Sequence, residues 1–417
     1  MLTERIIQCI IFVINLDSAS SAVRMEFKLM DKQITEIIER SIREEQNIGS
    51  SCMILKDGKE LYFKAFGYAD KEAGKILKRD SIFRLFSLTK PVTSAAVMLL
   101  IDRKILSPES RLSDFFPEFS EMQCIDDKGN VVQCKTDITI SHLLTMTSGL
   151  PYANWGNPSY NAAAKLFDEI TERQNAHNDI TTEEFCRKAA EIPLLFEPSA
   201  RWEYGISADI LGGVIEKASG MKLSNFFEKN FFEPLKMTDT GFYVPQEKLD
   251  RFTALYSWEN DKLVRNYDNH LGLTDYTAPP AFESGGAGLV STIVDYSKFA
   301  SMLAGGGVYE GKRYISEDSF RYMTAPKLNS EQHSYFWDKL SGYSYGALMR
   351  IMVNKEASSV KTCNGEFGWD GWTGTYFCAD AENKIAVLYF TQICGAGTTY
   401  QAAEISRIAY ENFAEKN

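Results

Sequence analysis

The chain has 417 residues, 44% of them hydrophobic, and a formal net charge of −11. Such a length supports a large buried core, in two or three domains or in one enzyme body with an inserted lobe. The acidic balance and the lack of any Lys/Arg block argue against nucleic acid as a partner, because phosphate binding needs a basic face.

Residues 1–25 read as an N-terminal extension or a signal-like segment: "IIQCIIFVINL" is followed by the small-residue stretch "DSASSA". Glu4 offsets Arg5, Gln8 and Asn15 interrupt the apolar run, and the run is too short to span a bilayer. A cytoplasmic location is expected, with secretion through a weak signal peptide as the alternative, and no membrane span. Within 28–46, Met30, Ile34, Ile37, Ile38 and Ile42 fall on one helical face. "SSCMILKDGKELYFKAFGYAD" then reads as two strands around an Asp57-Gly58 turn. Helical signals dominate from Ser87 to about Gly220. Within that stretch Cys124 and Cys134 flank "IDDKGNVVQ", a hairpin across which they could pair, though a reduced pair suits a chain of this size better. Near the end, "TGTYFCAD" and "NKIAVLYFTQ" read as strands around Ala381–Asn383. A last helix follows, with Ala402, Ile405, Ala409 and Phe413 on one face.

The expected fold is therefore α/β of the α+β type. Residues 26–85 and 285–417 build an antiparallel sheet flanked by the terminal helices, and residues 86–284 form a mostly helical domain. The eight cysteines show no CxxC or Cys/His spacing, and the four histidines form no HExxH. No metal and no cofactor are expected, and a Ser-His-Asp triad lacks a well-placed histidine.

The chemistry points elsewhere, to "FRLFSLTKPVTSAAVMLL". Lys90 follows Ser87 by three residues at the mouth of an apolar helix. A helix N-terminus repels an ammonium and burial repels it further, so both favour the neutral amine. A neutral amine one turn from a hydroxyl is a base aimed at a nucleophile. SxxK alone is weak evidence, since a Ser cap with a snorkelling lysine fits most instances. It occurs again at Ser219–Lys222 and Ser358–Lys361. The first of these adjoins Gly220, a helix-ending residue, and the second has no helix signal after it.

Five ordered blocks extend this signal: "FRLFSLTKPVTSAAVMLL", "ITISHLLTMTSGLPY", "FEPSARWEYGISADILGGVIEKASG", "ESGGAGLVST" and "FGWDGWTGTYFCAD". Together they resemble the serine β-lactamase-related family, which includes class C β-lactamases, DD-peptidases and family VIII carboxylesterases. The resemblance covers roughly Met30 to the C-terminus and implies a site in the cleft between an α/β and a helical domain. It makes Ser87 the acylated nucleophile, Lys90 its amine partner and Tyr204, in "WEYGIS", the family's tyrosine. Three literal Tyr-x-Asn matches, at Tyr152, Tyr267 and Tyr410, lie in the wrong context and are set aside. Ile206 stands where the family has an amide, and Trp372-Thr373-Gly374 stands in place of Lys-Thr-Gly, so Ile206, Trp372 and Gly374 are expected to contact substrate. The backbone N–H groups of Ser87 and Thr375 are expected to form the oxyanion hole. Gly285, Gly286 and Gly288 allow close packing behind the cleft or simply form a turn.

The resulting expectation is a serine hydrolase that acts on a small ester or amide through an acyl-enzyme, most plausibly an esterase for uncharged acyl groups. A β-lactamase or D-amino-acid peptidase is the alternative within the family, and a catalytically silent binding protein the alternative of another class. The sequence leaves the physiological substrate, the oligomeric state and the choice of Lys90 or Tyr204 as base open.

Overall fold

The computed structural model describes residues 21–415. Residues 1–20, which hold most of the signal-like segment, lie outside that range. The first helix, Ser21–Arg43, begins earlier than the periodicity suggested. Its Met30, Ile34 and Ile38 are buried and its Ile37 and Ile42 partly so. Among the described residues no helix is long and apolar enough to cross a membrane.

One eight-stranded antiparallel sheet organises the chain. Its order is Tyr343–Tyr345, Arg350–Met352, Phe367–Asp370, Tyr376–Asp380, Ile385–Phe390, Gly49–Lys56, Lys59–Asp70 and Lys75–Ile76. The two ends of the chain meet at its centre, where Ser51 pairs with Phe390 and Lys56 with Ile385. The hairpin from Gly49 turns at Asp57 (φ 52°) and Gly58 (φ 71°), the paired left-handed geometry that matches strand twist. Successive side chains alternate between faces. Cys52, Ile54, Cys378, Val387 and Tyr389 pack under the first helix and the last, Tyr400–Phe413. Met53, Leu55, Phe377, Leu388 and Phe390 face the larger core, with helix Ile293–Ala304.

The middle of the chain supplies helices Thr89–Asp102, Pro158–Asn175, Thr182–Ala189 and Ser207–Ser219. The last ends at Gly220 in the left-handed conformation (φ 68°), as a helix-stopping glycine should. Helix Thr89–Asp102 is buried on nearly every side, so each of its polar side chains needs a partner. Thr93 donates to the Gly285 carbonyl at 2.6 Å, Ser94 donates to that of Ala347 at 2.8 Å, and Thr89 Oγ1 accepts from the Leu289 amide at 3.1 Å. The stretch Ser284–Leu289 is thereby fastened along this helix.

The same stretch lies against helix Ser207–Ser219 with no room to spare. A Cβ on Gly285 would overlap the Ala208 carbonyl oxygen, and one on Gly286 would come to 2.7 Å from Asp209 Oδ2. The glycines are thus a close-packing device and not a plain turn. Gly285→Ala is expected to push the two segments apart and to cost ~1–3 kcal/mol, the usual penalty of overpacking. Urea unfolding checks this; wild-type stability would show that the backbone yields freely.

Candidate active site

Ser87 sits in a one-turn 3₁₀ segment, Phe86–Leu88, and the α-helix starts only at Thr89. Neither helix start has a side-chain cap, so the Ser87 hydroxyl is not spent on capping. The preceding Phe86 has φ +45°, a left-handed conformation that costs a non-glycine residue roughly 1–3 kcal/mol. Its surroundings hold it there. The Leu85 amide donates to the Leu289 carbonyl at 2.9 Å, Thr375 Oγ1 donates to the Leu85 carbonyl at 3.0 Å, and Tyr296 donates to the Leu88 carbonyl at 2.9 Å.

Lys90 is fully buried. Its Nζ lies 3.1 Å from Ser87 Oγ, 3.0 Å from the Tyr152 hydroxyl and 2.9 Å from the Gly286 carbonyl oxygen. Burial lowers its pKa to about 7; the negative charges of Asp209 and Asp370 offset part of that loss. Asp209 is itself buried, receives a hydrogen bond from Ser284 Oγ and accepts the Gly286 amide at 3.0 Å. One side of the Gly286 residue is therefore held by Asp209, and its carbonyl by Lys90.

Tyr204 closes the site. Its ring centroid is 4.7 Å from Lys90 Nζ, and its hydroxyl accepts a 3.0 Å hydrogen bond from Trp369 Nε1. Burial raises the Tyr204 pKa above the ordinary phenol value, with partial relief from Ser87 and Trp369. Burial likewise raises the Tyr152 pKa above the ordinary phenol value. Tyr152, Trp337 and Trp369 surround the Tyr204 ring at centroid distances of 5.6, 5.0 and 5.5 Å.

Ser87, Lys90 and Tyr204 are thus brought together as expected. The decoy pairs are not. Ser219 Oγ accepts from the Met221 amide, and Lys361 reaches the Lys355 and Glu356 carbonyls on the surface. Other expectations need correction. Tyr152, set aside in the sequence, is a direct partner of Lys90. Trp369, which the sequence did not single out, is the tryptophan beside the Tyr204 hydroxyl. Trp372 instead stacks on His270 at 4.1 Å and meets the Phe86 ring at 5.2 Å. Ile206 is fully buried in the main core and offers no surface to a substrate. Gly374 (φ +82°) faces Thr391, where a Cβ would come to 2.7 Å, and Thr375 is fully buried.

Both Trp369-Asp370-Gly371 and Trp372-Thr373-Gly374 have the form Trp-x-Gly. Sequence offers no way to choose between them, because the choice depends on which tryptophan lies on the strand facing Tyr204. That strand is Phe367–Asp370.

The beta-lactamase family model matches residues 32–407. The chain belongs to the beta-lactamase family. Among characterised relatives, esterase EstB of Burkholderia gladioli is 27% identical over 397 residues, covering 92% of this chain and 93% of that protein. Protein Rv1367c of Mycobacterium tuberculosis is 30% identical over 359 residues, 83% of this chain and 86% of its own length. The fold matches that of EstCE1, a hydrolase with promiscuous acyltransferase activity, with a TM-score of 0.77 and 23% identity over 93% of this chain and all of that one. It also matches simvastatin synthase of Aspergillus terreus, with a TM-score of 0.72 and 19% identity over 93% and 97% of the two chains. The protein is an enzyme of the serine-hydrolase type on the β-lactamase fold, in a family of hydrolases and acyltransferases.

Trp369→Phe keeps an aromatic ring but removes the indole N–H and part of the ring volume. It is expected to lower kcat/KM at least about 5-fold, the worth of one hydrogen bond near 1 kcal/mol, and to lower the unfolding midpoint, because Trp369 is buried and the lost atoms leave a void. Trp372→Phe serves as the comparison, and an equal loss there would show that the indole bond is not the cause.

Proposed function

We propose that the protein is a serine esterase that works through an acyl-enzyme on Ser87, with Lys90 as the base and Tyr204 as a proton donor. The supporting observation is the shell around Lys90 Nζ. The Gly286 carbonyl can only accept, so it takes one N–H of the neutral amine, and the Tyr152 oxygen takes the other. The lone pair is then left for the Ser87 hydroxyl proton at 3.1 Å. Burial favours the protonated Tyr204 phenol and a partly neutral Lys90 amine near neutral pH, which supports the lysine as the base.

In this reading Ser87 Oγ attacks the substrate carbonyl carbon as its proton passes to Lys90. The Ser87 amide N–H and an amide of the Gly371–Thr375 turn receive the oxyanion. Within that turn, the Trp372, Thr373 and Thr375 amides lack a protein acceptor among the described residues. Thr373 and Thr375 are fully buried, so the half-buried Trp372 is the better donor. The tetrahedral intermediate collapses, the carbon–oxygen bond to the alcohol breaks, and Tyr204 protonates the departing alkoxide. Lys90 returns a proton to Tyr204. Water, activated by the same pair, then attacks the acyl-enzyme.

Substrate preference follows from the indole beside Tyr204. A β-lactam brings a carboxylate, and Trp369 supplies no positive charge to offset its desolvation. An uncharged ester brings no such group. Small uncharged esters are therefore the favoured substrates.

A fluorophosphonate probe is expected to label wild type at a rate that rises with pH through about 7, as Lys90 loses its proton. Ser87→Ala should not be labelled and should lose at least ~10³ in kcat, as removal of a nucleophile does. Ser219→Ala and Ser358→Ala should behave as wild type. A labelled Ser87→Ala protein would end the scheme.

Short-chain p-nitrophenyl esters are expected to be cleaved with a higher kcat/KM than nitrocefin or D-alanyl peptides. Nitrocefin turnover at or above the ester rate would make the enzyme a β-lactamase instead.

A further inference from the structure

A second cluster of reactive side chains lies outside the Ser87 site. The hairpin Gln123–Ile125 and Val131–Gln133 turns through Gly129, and it carries Cys124 and Cys134. Glu197 comes to it from the loop that leads on to Tyr204. One ligand atom from each of Cys124, Cys134 and Glu197 lies within 4.8 Å of the others, and both cysteines are free thiols. We propose that Cys124, Cys134 and Glu197 bind a zinc-class divalent cation, with two thiolates, one carboxylate oxygen and a water as fourth ligand.

Three observations carry this assignment. The first is the ligand set, since two thiolates and a carboxylate suit a borderline-soft tetrahedral ion such as Zn²⁺. The second is the state of the carboxylate. Glu197 Oε1 accepts the Lys135 and Thr136 amides, both at 2.7 Å, which fixes the group in place. Its Oε2 accepts from the Cys124 thiol, at 3.5 Å, and the Thr136 side chain adds a hydrogen bond to the carboxylate. A carboxylate anchored by one oxygen and turned toward two thiols with the other has the outer-shell support that metal ligands need.

The third observation is that the hairpin brings the two thiols into hydrogen-bond contact with each other. Cys124 pairs with Val132, so Cys134 is its diagonal neighbour on the same face. Two Zn–S bonds of about 2.3 Å each hold sulfurs in this relation, close but not bonded to each other, and the Glu197 carboxylate oxygen converges on the same point.

The site would tie the hairpin to the loop 194–204. That loop already donates the Ser199 amide to Thr147 and the Glu203 amide to Met146 before it reaches Tyr204. Binding replaces two thiol protons, so each bound ion releases two protons and affinity rises with pH.

The test uses the full-length protein, stripped with a chelator under reducing conditions and titrated with Zn²⁺ or Cd²⁺. One equivalent is expected to bind, with a thiolate-to-cadmium ultraviolet band, a raised melting temperature, and protection of two thiols from alkylation. Cys124→Ser and Cys134→Ala should each abolish the band, and Glu197→Gln should weaken binding about 10-fold or more. Two results would overturn the proposal. One is an unchanged band or melting shift in both cysteine variants. The other is failure of the reduced wild-type protein to bind one equivalent of Zn²⁺ or Cd²⁺.

Discussion

A buried amine with three oxygen partners is the constraint on which the rest of the structure depends. Lys90 has no exposed surface, and an unpaired ammonium there would carry a large desolvation cost. The molecule meets that cost from three separate stretches of chain. Ser87 comes from the same helical turn, Tyr152 from the loop before helix Pro158–Asn175, and Gly286 from the glycine-rich stretch. Each must arrive within hydrogen-bond reach. The consequence for backbone packing is direct: Gly285 and Gly286 have no room for side chains, because that stretch must touch helices Thr89–Asp102 and Ser207–Ser219 at once. Asp209 completes the arrangement by gripping the Gly286 amide, so a carboxylate acts on the lysine both through space and through one residue of backbone.

The aromatic enclosure serves the same end. Tyr204 is ringed by Tyr152, Trp202, Trp337 and Trp369, drawn from positions scattered over more than half the chain. Rings fill space without adding charge, which keeps the local dielectric low. In that environment burial moves the lysine and the tyrosine in opposite senses. The amine loses its proton more easily and the phenol holds its own more tightly. Two titratable groups pushed apart in this way suit the base and acid roles proposed for them. The indole N–H of Trp369 orients the phenol oxygen without making it a charged group.

The backbone around Ser87 is held from both sides of the cleft. Phe86 is kept in a left-handed conformation while Leu85 is tied to Leu289 and to Thr375. Strain in this position turns Ser87 out of the cap role that a serine near a helix start usually takes. The sheet, built from both chain ends, supplies the Thr375 side of this grip, and helix Ile293–Ala304 supplies Tyr296. A fold that joins its ends at the centre of one sheet thereby places Ser87 where sheet and helices meet.

Local periodicity carried much of this into the sequence. The buried face at Met30, Ile34 and Ile38, the Asp57-Gly58 turn, the strands on either side of Ala381 and the stop at Gly220 all follow from patterns a few residues long. The Ser87–Lys90 pairing is of the same kind, since three residues on a helix fix a shared face. What lay beyond reach involved residues far apart in the chain. Tyr152 joins Lys90 across 62 positions and Trp369 joins Tyr204 across 165. Two Trp-x-Gly repeats three residues apart could not be told apart until the strand carrying the first was seen against Tyr204. Ile206 occupies a position that the resemblance assigned to substrate contact, yet its side chain turns into the core. Cys124, Cys134 and Glu197 show no ligand spacing at all and meet only because a hairpin and a distant loop fold together. Sequence determines the elements and their inward faces, because those depend on neighbours along the chain. Tertiary structure decides which side chains share one small volume, because that depends on how whole elements pack.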